Sequence, residues 1–222
     1  MGRGGTRDPE ARPVSNLFPY YPVFLDLAGR SVVLIGADAA MAGLARQFLA
    51  AGAGVAVFDP APSDAMRALG SAVRLKLRRW RPADFQGASL VVCGPGEARP
   101  SRVRTAARAQ QAVFHLLGAP ENSDVVLGGV AAAGALALGV AAPGAPWSVT
   151  QAVRAKLEAA LPAGLPAFLE AAARVRSEAG RRIPDDAARA QFWREMSERA
   201  FASPPLRANA WETLLRDELA RR

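Results

Sequence analysis

Apolar residues in the first half of the chain fall into short continuous runs that are separated by helix-forming segments. Residues 31–36 form one aliphatic run that ends in glycine, and residues 55–58 form a second that ends at Asp59. Between them, residues 40–51 carry apolar side chains at helical spacing, and Gly52 follows as a helix C-terminus requires. Continuous apolar runs are typical of strands buried on both faces of a parallel sheet. The pattern therefore predicts a strand–helix–strand unit of a doubly wound sheet.

The same alternation continues towards the middle of the chain. Residues 73–77 alternate apolar and basic side chains and predict an exposed or edge strand. Further elements are a buried strand at 90–93, a polar helix at 99–111 and another strand at 112–117. Residues 125–140 are apolar but interrupted by glycines, and we interpret them as two buried strands joined by a hairpin at Ala133–Gly134 rather than as a membrane span. The fold class predicted is α/β with a Rossmann-like parallel sheet.

From Trp147 the spacing becomes helical. Val149, Val153, Leu157 and Leu161 recur every fourth residue after Ser148, a plausible N-cap. Further helical runs are predicted at 168–177, 185–200 and 206–219. We therefore predict an all-helical C-terminal module over residues 148–222. At the other end, residues 1–16 are rich in Gly, Arg and Pro and predict a disordered tail.

Composition narrows the chemistry. Half of the 222 residues are hydrophobic and 22% are charged, which is ample material for a buried core. The chain has one cysteine, Cys93, and one histidine, His115, so a zinc or iron–sulfur site built from these residue types is excluded and no metal site is predicted. The first residues lack the apolar segment of a secretory signal, which favours a cytoplasmic protein.

Arginine dominates the charge of the chain. The formal net charge of +8 could attract nucleic acid, anionic lipid or an acidic small molecule. Basic residues are not interleaved with aromatic ones as on a nucleic-acid platform, so we predict neither a nucleic-acid nor a membrane partner. A small ligand with several carboxylates would fit the positive charge as well as nucleic acid would.

The turn after the first predicted strand is the candidate ligand site. A dinucleotide fingerprint places glycines at the first, third and sixth positions of this turn, and here those positions hold Gly36, Asp38 and Met41. The Asp38 carboxylate would stand near a bound pyrophosphate and repel it. Asp59 ends the next strand, where an acidic residue binds a ribose hydroxyl and favours NAD over NADP; it could equally be a turn residue before a proline. The candidate cofactor-binding residues are Gly36, Ala37, Asp38, Ala39, Ala40, Asp59, Pro60, Ala61 and Gly94.

Several stretches, in order, resemble the precorrin-2 dehydrogenase/sirohydrochlorin ferrochelatase family. Residues 21–36 resemble the lead-in to that family's nucleotide-binding strand, and Ala51-Gly52-Ala53 resembles the end of its first helix. Residues 117–120 resemble its Val-Asp-Ala-Pro element, and 152–162 the helix that opens its C-terminal module. Phe192-Trp193 resembles an aromatic pair late in that module.

The resemblance implies NAD as cofactor and oxidation of precorrin-2 to sirohydrochlorin, a step of siroheme synthesis. It also implies a homodimer with the active site in a cleft between domains. It divides the chain into an NAD-binding domain over residues 17–120, a central dimerisation segment over 121–147 and the helical module over 148–222. A polycarboxylate tetrapyrrole as substrate agrees with the basic charge.

The chain departs from the family at functional positions. Gly118 stands where the family has the aspartate thought to serve proton transfer or metal insertion, so ferrochelatase activity is not expected. His115, three residues earlier, is the candidate replacement as proton acceptor; its alternative role is that of a structural histidine within a strand. The alternative function is a non-catalytic tetrapyrrole-binding or regulatory protein that has kept the fold.

Overall fold

A computed structural model describes residues 20–142 and 144–222, so the tail predicted over 1–16 lies outside the described residues. The chain divides into two compact units, and the border between them in the sequence falls between Leu127 and Gly128. This border falls inside the segment 121–147, whose role in dimerisation stays a prediction.

A five-stranded parallel sheet forms the centre of the first unit. Its strands, in the spatial order β3-β2-β1-β4-β5, are β1 (Ser31–Ile35), β2 (Gly54–Phe58), β3 (Val73–Lys76), β4 (Ala88–Cys93) and β5 (Val113–Leu116). All four neighbouring pairs are parallel. The Rossmann-like sheet predicted from the apolar runs is therefore confirmed, and β3, with its alternating basic residues, lies at an edge.

Helices cover both faces of the sheet. Alternate strand residues point to opposite faces, so a continuous apolar strand presents apolar side chains on each of them. They are α1 (Ala39–Ala50), the short α2 (Asp64–Arg67) and α3 (Pro100–Ala109), with 3₁₀ turns at Gly70–Ala72, Pro82–Phe85 and Pro120–Asn122. Leu34 of β1 shares one buried cluster with Met41 of α1. Its neighbour Val33 lies in the opposite cluster with Val103 of α3. Both faces of β1 are thus buried, as the continuous apolar run predicted.

The second unit combines a hairpin with four helices. Antiparallel strands β6 (Gly129–Ala133) and β7 (Leu136–Val140) precede α4 (Trp147–Ala159), α5 (Leu165–Arg182), α6 (Asp186–Ala202) and α7 (Ala208–Ala220). The hairpin turns at Gly134, whose φ of +59° suits glycine. Phe168 of α5, Phe192 of α6 and Trp211 of α7 lie in one buried cluster. The predicted hairpin and helical module are confirmed.

Two local expectations were wrong. Residues of β6 and β7 alternate between more and less exposed rather than being wholly buried, because a two-stranded hairpin can cover only one of its faces. Helix α4 begins at Trp147 after Pro146, and no side chain caps it, so Ser148 lies inside the helix instead of at its N-cap. Pro146 is itself the N-cap residue, and it has no side-chain acceptor for the amide groups of the first turn.

One face of α4 is left partly exposed by the residues that the structure describes. Val149, Val153 and Leu157 follow one another at four-residue spacing, and their exposed fractions are 47%, 44% and 45%. The spacing predicted the helix correctly, but the apolar stripe does not join the core of the second unit. Such a stripe in water marks a surface available for an apolar partner.

Candidate functional site

A cavity of about 290 Å³ lies at the carboxyl ends of the parallel strands. It is lined by residues from four loops: Ile35, Gly36, Ala37, Asp38, Phe58, Asp59, Pro60, Arg79, Trp80, Gly94, Gly96, Glu97 and Ala98. After β3 the chain returns to the other side of β1 to form β4. The order in which strands are added to the sheet therefore reverses between β1 and β4. In doubly wound sheets, ligands bind in the crevice outside the strand ends at such a switch point.

Two glycines bring the loops after β1 and β4 into close approach. Gly36 has a φ of +97°, and a Cβ built on it would lie 3.7 Å from the Cα of Gly94. A Cβ built on Gly94 would lie 3.1 Å from the carbonyl oxygen of Ile35, to which the Gly94 nitrogen donates a hydrogen bond of 2.8 Å. Glycine at both positions therefore lets the backbone itself form this wall of the cavity.

Asp38 is the N-cap of α1. Its Oδ1 accepts a hydrogen bond of 2.8 Å from the backbone nitrogen of Met41, and the residue also lines the cavity. Capping satisfies one of the amide groups that the first turn of a helix leaves without an intrahelical partner. The acidic residue that replaces the fingerprint's second glycine thus stabilises the helix at the place where a dinucleotide fold binds phosphate.

Ser63 holds the turn after β1 from the other side. Its backbone nitrogen and its hydroxyl both donate to the carbonyl oxygen of Ala37, at 3.0 and 2.7 Å. The same hydroxyl accepts from the backbone nitrogen of Met66 and caps α2. The sequence analysis missed Ser63, although its position before a short helix is a recognisable N-cap signal.

Asp59 is a turn residue that also lies beside the cavity, whereas its binding of a ribose hydroxyl stays a prediction. Its Oδ1 accepts a hydrogen bond of 2.8 Å from the nitrogen of Ala61, which makes it a turn residue. Its backbone nitrogen donates to the carbonyl oxygen of Lys76 on β3, and the residue lines the cavity. The turn thus fixes the position of this carboxylate at the side of the cavity.

The loops after β3 and β4 contribute residues that the sequence analysis missed. Trp80 donates from Nε1 to Oε2 of Glu97 at 3.0 Å, which links the two loops. Its ring stacks on Phe85 with 5.2 Å between centroids. Arg79 lines the cavity next to it. The signal that could have found them is position alone, since they follow strands whose carboxyl ends share one edge of the sheet.

Other predicted residues lie outside the lining. Ala39 and Ala40 are exposed in the first turn of α1, and Ala61 follows the Asp59 turn. His115 is buried on β5, where its Nδ1 lies 2.9 Å from the carbonyl oxygen of Val125. Burial lowers the pKa of this imidazole, although the hydrogen bond to Val125 opposes the shift.

The remaining two positions singled out in the sequence differ in exposure. Gly118 is exposed after β5 with a φ of +85°, and no atom lies within 4 Å of a Cβ built there. Cys93 is buried at the end of β4, and burial raises the pKa of its thiol to about 12. A thiol that stays protonated at neutral pH is not a nucleophile.

Two absences hold for the part of the chain that the structure describes. No group of three or more His, Cys, Asp or Glu residues is arranged to hold a metal ion. None of the helices there is both long and apolar enough to cross a membrane.

Comparisons with known proteins agree with this geometry. Residues 23–129 match the model of an NAD(P)-binding family. The siroheme synthase of Ectopseudomonas mendocina is 28% identical over 207 residues, which cover 90% of this chain and 44% of that protein. Siroheme synthase 2 of Aeromonas hydrophila is 28% identical over 84% of this chain and 39% of its own length. The chain thus spans less than half the length of these relatives.

Among solved structures, the precorrin-2 dehydrogenase SirC superposes with a TM-score of 0.68. The match covers 91% of this chain and all of SirC at 16% identity, so it establishes the shared fold. The matched NAD(P)-binding region contains the whole cavity lining, from Ile35 to Ala98. Residues 23–129 are thus similar to an NAD(P)-binding family, and the chain is similar to siroheme synthases and shares the fold of a precorrin-2 dehydrogenase.

Proposed function

We propose that the protein binds NAD in the crevice between β1 and β4 and oxidises precorrin-2 to sirohydrochlorin in siroheme synthesis. The observation that carries the proposal is the approach of Gly36 to Gly94 at the switch point of the sheet. A wall made of backbone lets a pyrophosphate come closer than any side chain would. The names of the relatives, siroheme synthase and precorrin-2 dehydrogenase, supply the substrate class.

The described residues fit a dinucleotide in position and chemistry. The turn at Gly36 and Ala37 would hold the pyrophosphate beside the first turn of α1, and the Asp59 carboxylate would accept a hydrogen bond from a ribose hydroxyl. Bound NAD⁺ supplies the acceptor for the hydride that precorrin-2 loses, and one proton is released as well. Asp38 works against phosphate by its charge, and its hydrogen bond to Met41 keeps that charge engaged with the helix.

We do not extend the proposal to insertion of Fe²⁺ into sirohydrochlorin. Gly118 has no side chain to hold a proton or a metal ion, and His115 is buried against Val125 instead of facing the cavity. Neither Gly118 nor His115 therefore offers an exposed base at the crevice. The proton of the oxidation then leaves to water, and the contribution of the chain is to bind and orient cofactor and substrate.

A second candidate is a tetrapyrrole-binding protein without catalytic activity. Two observations favour it: the acidic N-cap at Asp38 and the missing side chain at Gly118. Such a protein would bind sirohydrochlorin independently of NAD. The two candidates therefore differ in whether nucleotide binding is present at all.

We also propose that the protein is a homodimer in the cytoplasm, with the apolar stripe of α4 covered by a second copy. Val149, Val153 and Leu157 are each about half exposed on one helix face, and burying them against a symmetric copy would remove this apolar area from water. The stripe lies within the predicted helical module and begins beside the segment predicted for dimerisation.

The test is an anaerobic assay in which precorrin-2 is generated in situ and incubated with the protein and NAD⁺. We expect sirohydrochlorin and NADH to form in equal amounts. Asp59→Ala should raise the KM for NAD⁺ about tenfold, since one charge-assisted hydrogen bond is lost. Asp64→Ala is the matched control, because Asp64 is an exposed aspartate of the same unit outside the cavity lining. Binding of sirohydrochlorin without NAD⁺ binding or NADH formation would replace this proposal by the second candidate.

A further inference from the structure

The cavity contains one basic side chain whose function the proposal above leaves open. Of the described residues in the lining, Arg79 alone is basic. No hydrogen bond or ion pair of its guanidinium to another described residue is present. An exposed arginine beside a crevice for an anionic ligand, with all its donors available, is suited to bind phosphate.

The preceding arginine, Arg78, is engaged within the protein, which sets Arg79 apart from it. Arg78 binds both carboxylate oxygens of Asp84 at 2.8 Å and lies over the ring of Phe58, 5.0 Å from its centroid. This pairing lowers the pKa of the Asp84 carboxyl, with the hydrogen bond from Arg78 as the largest cause. Arg78 is therefore held in place by the protein itself, and of these two arginines Arg79 is the one available to a ligand in the cavity.

The acidic residues of the lining are likewise occupied. Glu97 accepts from Trp80 at Oε2 and from the nitrogen of Arg99 at Oε1, both at 3.0 Å. Asp38 accepts from Met41, and Asp59 from Ala61. No carboxylate of the described lining pairs with Arg79, so a ligand anion would not have to displace an internal partner.

Position then indicates which part of the ligand Arg79 would meet. It follows β3, which pairs with β2 and not with β1. The nitrogen of Asp59 donates to the carbonyl oxygen of Lys76, which places the end of β3 beside the Asp59 turn. In this fold the residue at the end of β2 lies at the adenosine ribose, and a nearby arginine accommodates a 2′-phosphate.

We infer that Arg79 is a specificity-determining residue that binds the 2′-phosphate of NADP, so that the site accepts NADP as well as NAD. This inference rests on the proposed cofactor site. Asp59 favours the free hydroxyl of NAD and disfavours the phosphate, whereas Arg79 favours the phosphate. The pair together gives comparable affinities for the two cofactors, and each residue alone would select one of them.

Titration calorimetry with NAD⁺ and NADP⁺ tests the inference on the full chain. We expect the wild type to bind the two with dissociation constants within about tenfold of each other. Arg79→Gln should lower the affinity for NADP⁺ relative to NAD⁺ by about 10- to 100-fold, the effect of a charge-assisted contact to phosphate. Arg79→Lys should restore part of this ratio through its charge. Asp59→Asn should shift the ratio the other way, towards NADP⁺.

Arg74→Gln is the matched control, since Arg74 is exposed on β3 but does not line the cavity. It should leave the ratio of the two affinities unchanged. Adenosine 2′,5′-bisphosphate and ADP serve as probes that separate the 2′-phosphate from the pyrophosphate. Binding of NAD⁺ without NADP⁺, or an equal loss of both in Arg79→Gln, would overturn the inference and leave the proposed function standing. Failure of both nucleotides to bind the wild type would overturn both.

Discussion

The Oδ1 atom of Asp38 lies 2.8 Å from the backbone nitrogen of Met41 and caps helix α1 at the edge of the cavity. One residue therefore has two effects of opposite value for a nucleotide site. Its hydrogen bond stabilises the helix, and its charge opposes a nearby phosphate. The substitution Asp38→Asn separates the two, because asparagine is as good an N-cap as aspartate but is neutral.

We expect Asp38→Asn to keep the free energy of unfolding close to that of the wild type and to bind NAD⁺ about fivefold more tightly, or by about 1 kcal/mol. Asp38→Ala removes the cap as well, and should lower the free energy of unfolding by about 1 kcal/mol. Calorimetry and urea denaturation measure the two effects. Unchanged NAD⁺ affinity in both variants would mean that the pyrophosphate does not lie near α1.

Gly36 should not tolerate a side chain. Its φ of +97° is a conformation that L-residues rarely adopt, so Gly36→Ala should lower the free energy of unfolding by about 1–2 kcal/mol. The added methyl group would also stand in the crevice, 3.7 Å from the Cα of Gly94, and we expect NAD⁺ binding to weaken at least about tenfold. Calorimetry gives the affinity and urea denaturation the stability.

Gly87→Ala separates strain from ligand binding. Gly87 also has a positive φ, +71°, but no atom lies within 4 Å of a Cβ built there, and it does not line the cavity. This control should lose stability and keep NAD⁺ affinity. Equal losses of affinity in the two variants would argue that Gly36 acts through folding alone.

The stripe on α4 predicts the oligomeric state. Sedimentation velocity should show a dimer for the wild type and a monomer for Val153→Glu, because a buried unpaired carboxylate costs more than the interface gains at that point. Ala155→Glu adds the same charge on the opposite side of α4, where the residue is also exposed, and should remain dimeric. A monomeric wild type would leave the stripe without the partner that we propose.

His115 should make stability depend on pH. Its pKa in the folded protein is lowered by burial below the ordinary value of about 6.5, so the unfolded chain binds a proton before the folded one does. The associated stability is fully present above pH 6.5 and is lost as the pH falls through the lowered pKa. The free energy of unfolding should therefore fall below pH 6.5, and more steeply than in His115→Gln.

This experiment also addresses the catalytic hypothesis for His115. Nδ1–H donates to the Val125 carbonyl in a structural role, so His115→Gln should lower stability while retaining precorrin-2 oxidation. Loss of oxidation in a folded variant would instead restore His115 as the proton acceptor.

Gly118→Asp tests the position at which the chain lacks the aspartate of the family that it resembles. The φ of +85° is tolerated by aspartate better than by most residues, and no atom crowds the Cβ, so the cost in stability should be only about 1 kcal/mol. If the missing carboxylate alone prevents chelation, the variant should insert Fe²⁺ into sirohydrochlorin, measured as siroheme formed anaerobically. Gly87→Asp is the control, and siroheme formation by the wild type would contradict the premise.

The sheet could be predicted from the sequence because burial on both faces leaves a direct mark. The run from Val32 to Ile35 is apolar without interruption, and Val73–Lys76 alternates because one edge strand meets water. The exposure of Val153 could not be predicted, since apolar spacing tells which face of a helix is apolar but not whether the same chain covers it.

The candidate site could be predicted only in part, for a related reason. Gly36 and Asp59 follow the first two strands in a known motif and do line the cavity. Arg79 and Trp80 belong to no motif, and they reach the cavity because β3 pairs with β2, a long-range arrangement. Local patterns also assigned Asp38 a harmful charge but could not show its bond to Met41.

The edge position of β3 has a consequence for motion. Four residues long and paired on one side only, it is one of the two edge strands of this sheet with the fewest hydrogen bonds to a neighbour, and Arg79 and Trp80 follow its end. A nucleotide in contact with those residues would be bound only while β3 is hydrogen-bonded to β2. The amide hydrogens of β3 should then exchange with deuterium more slowly as cofactor is added. Exchange at this edge strand would therefore report how much of the protein has cofactor in the crevice.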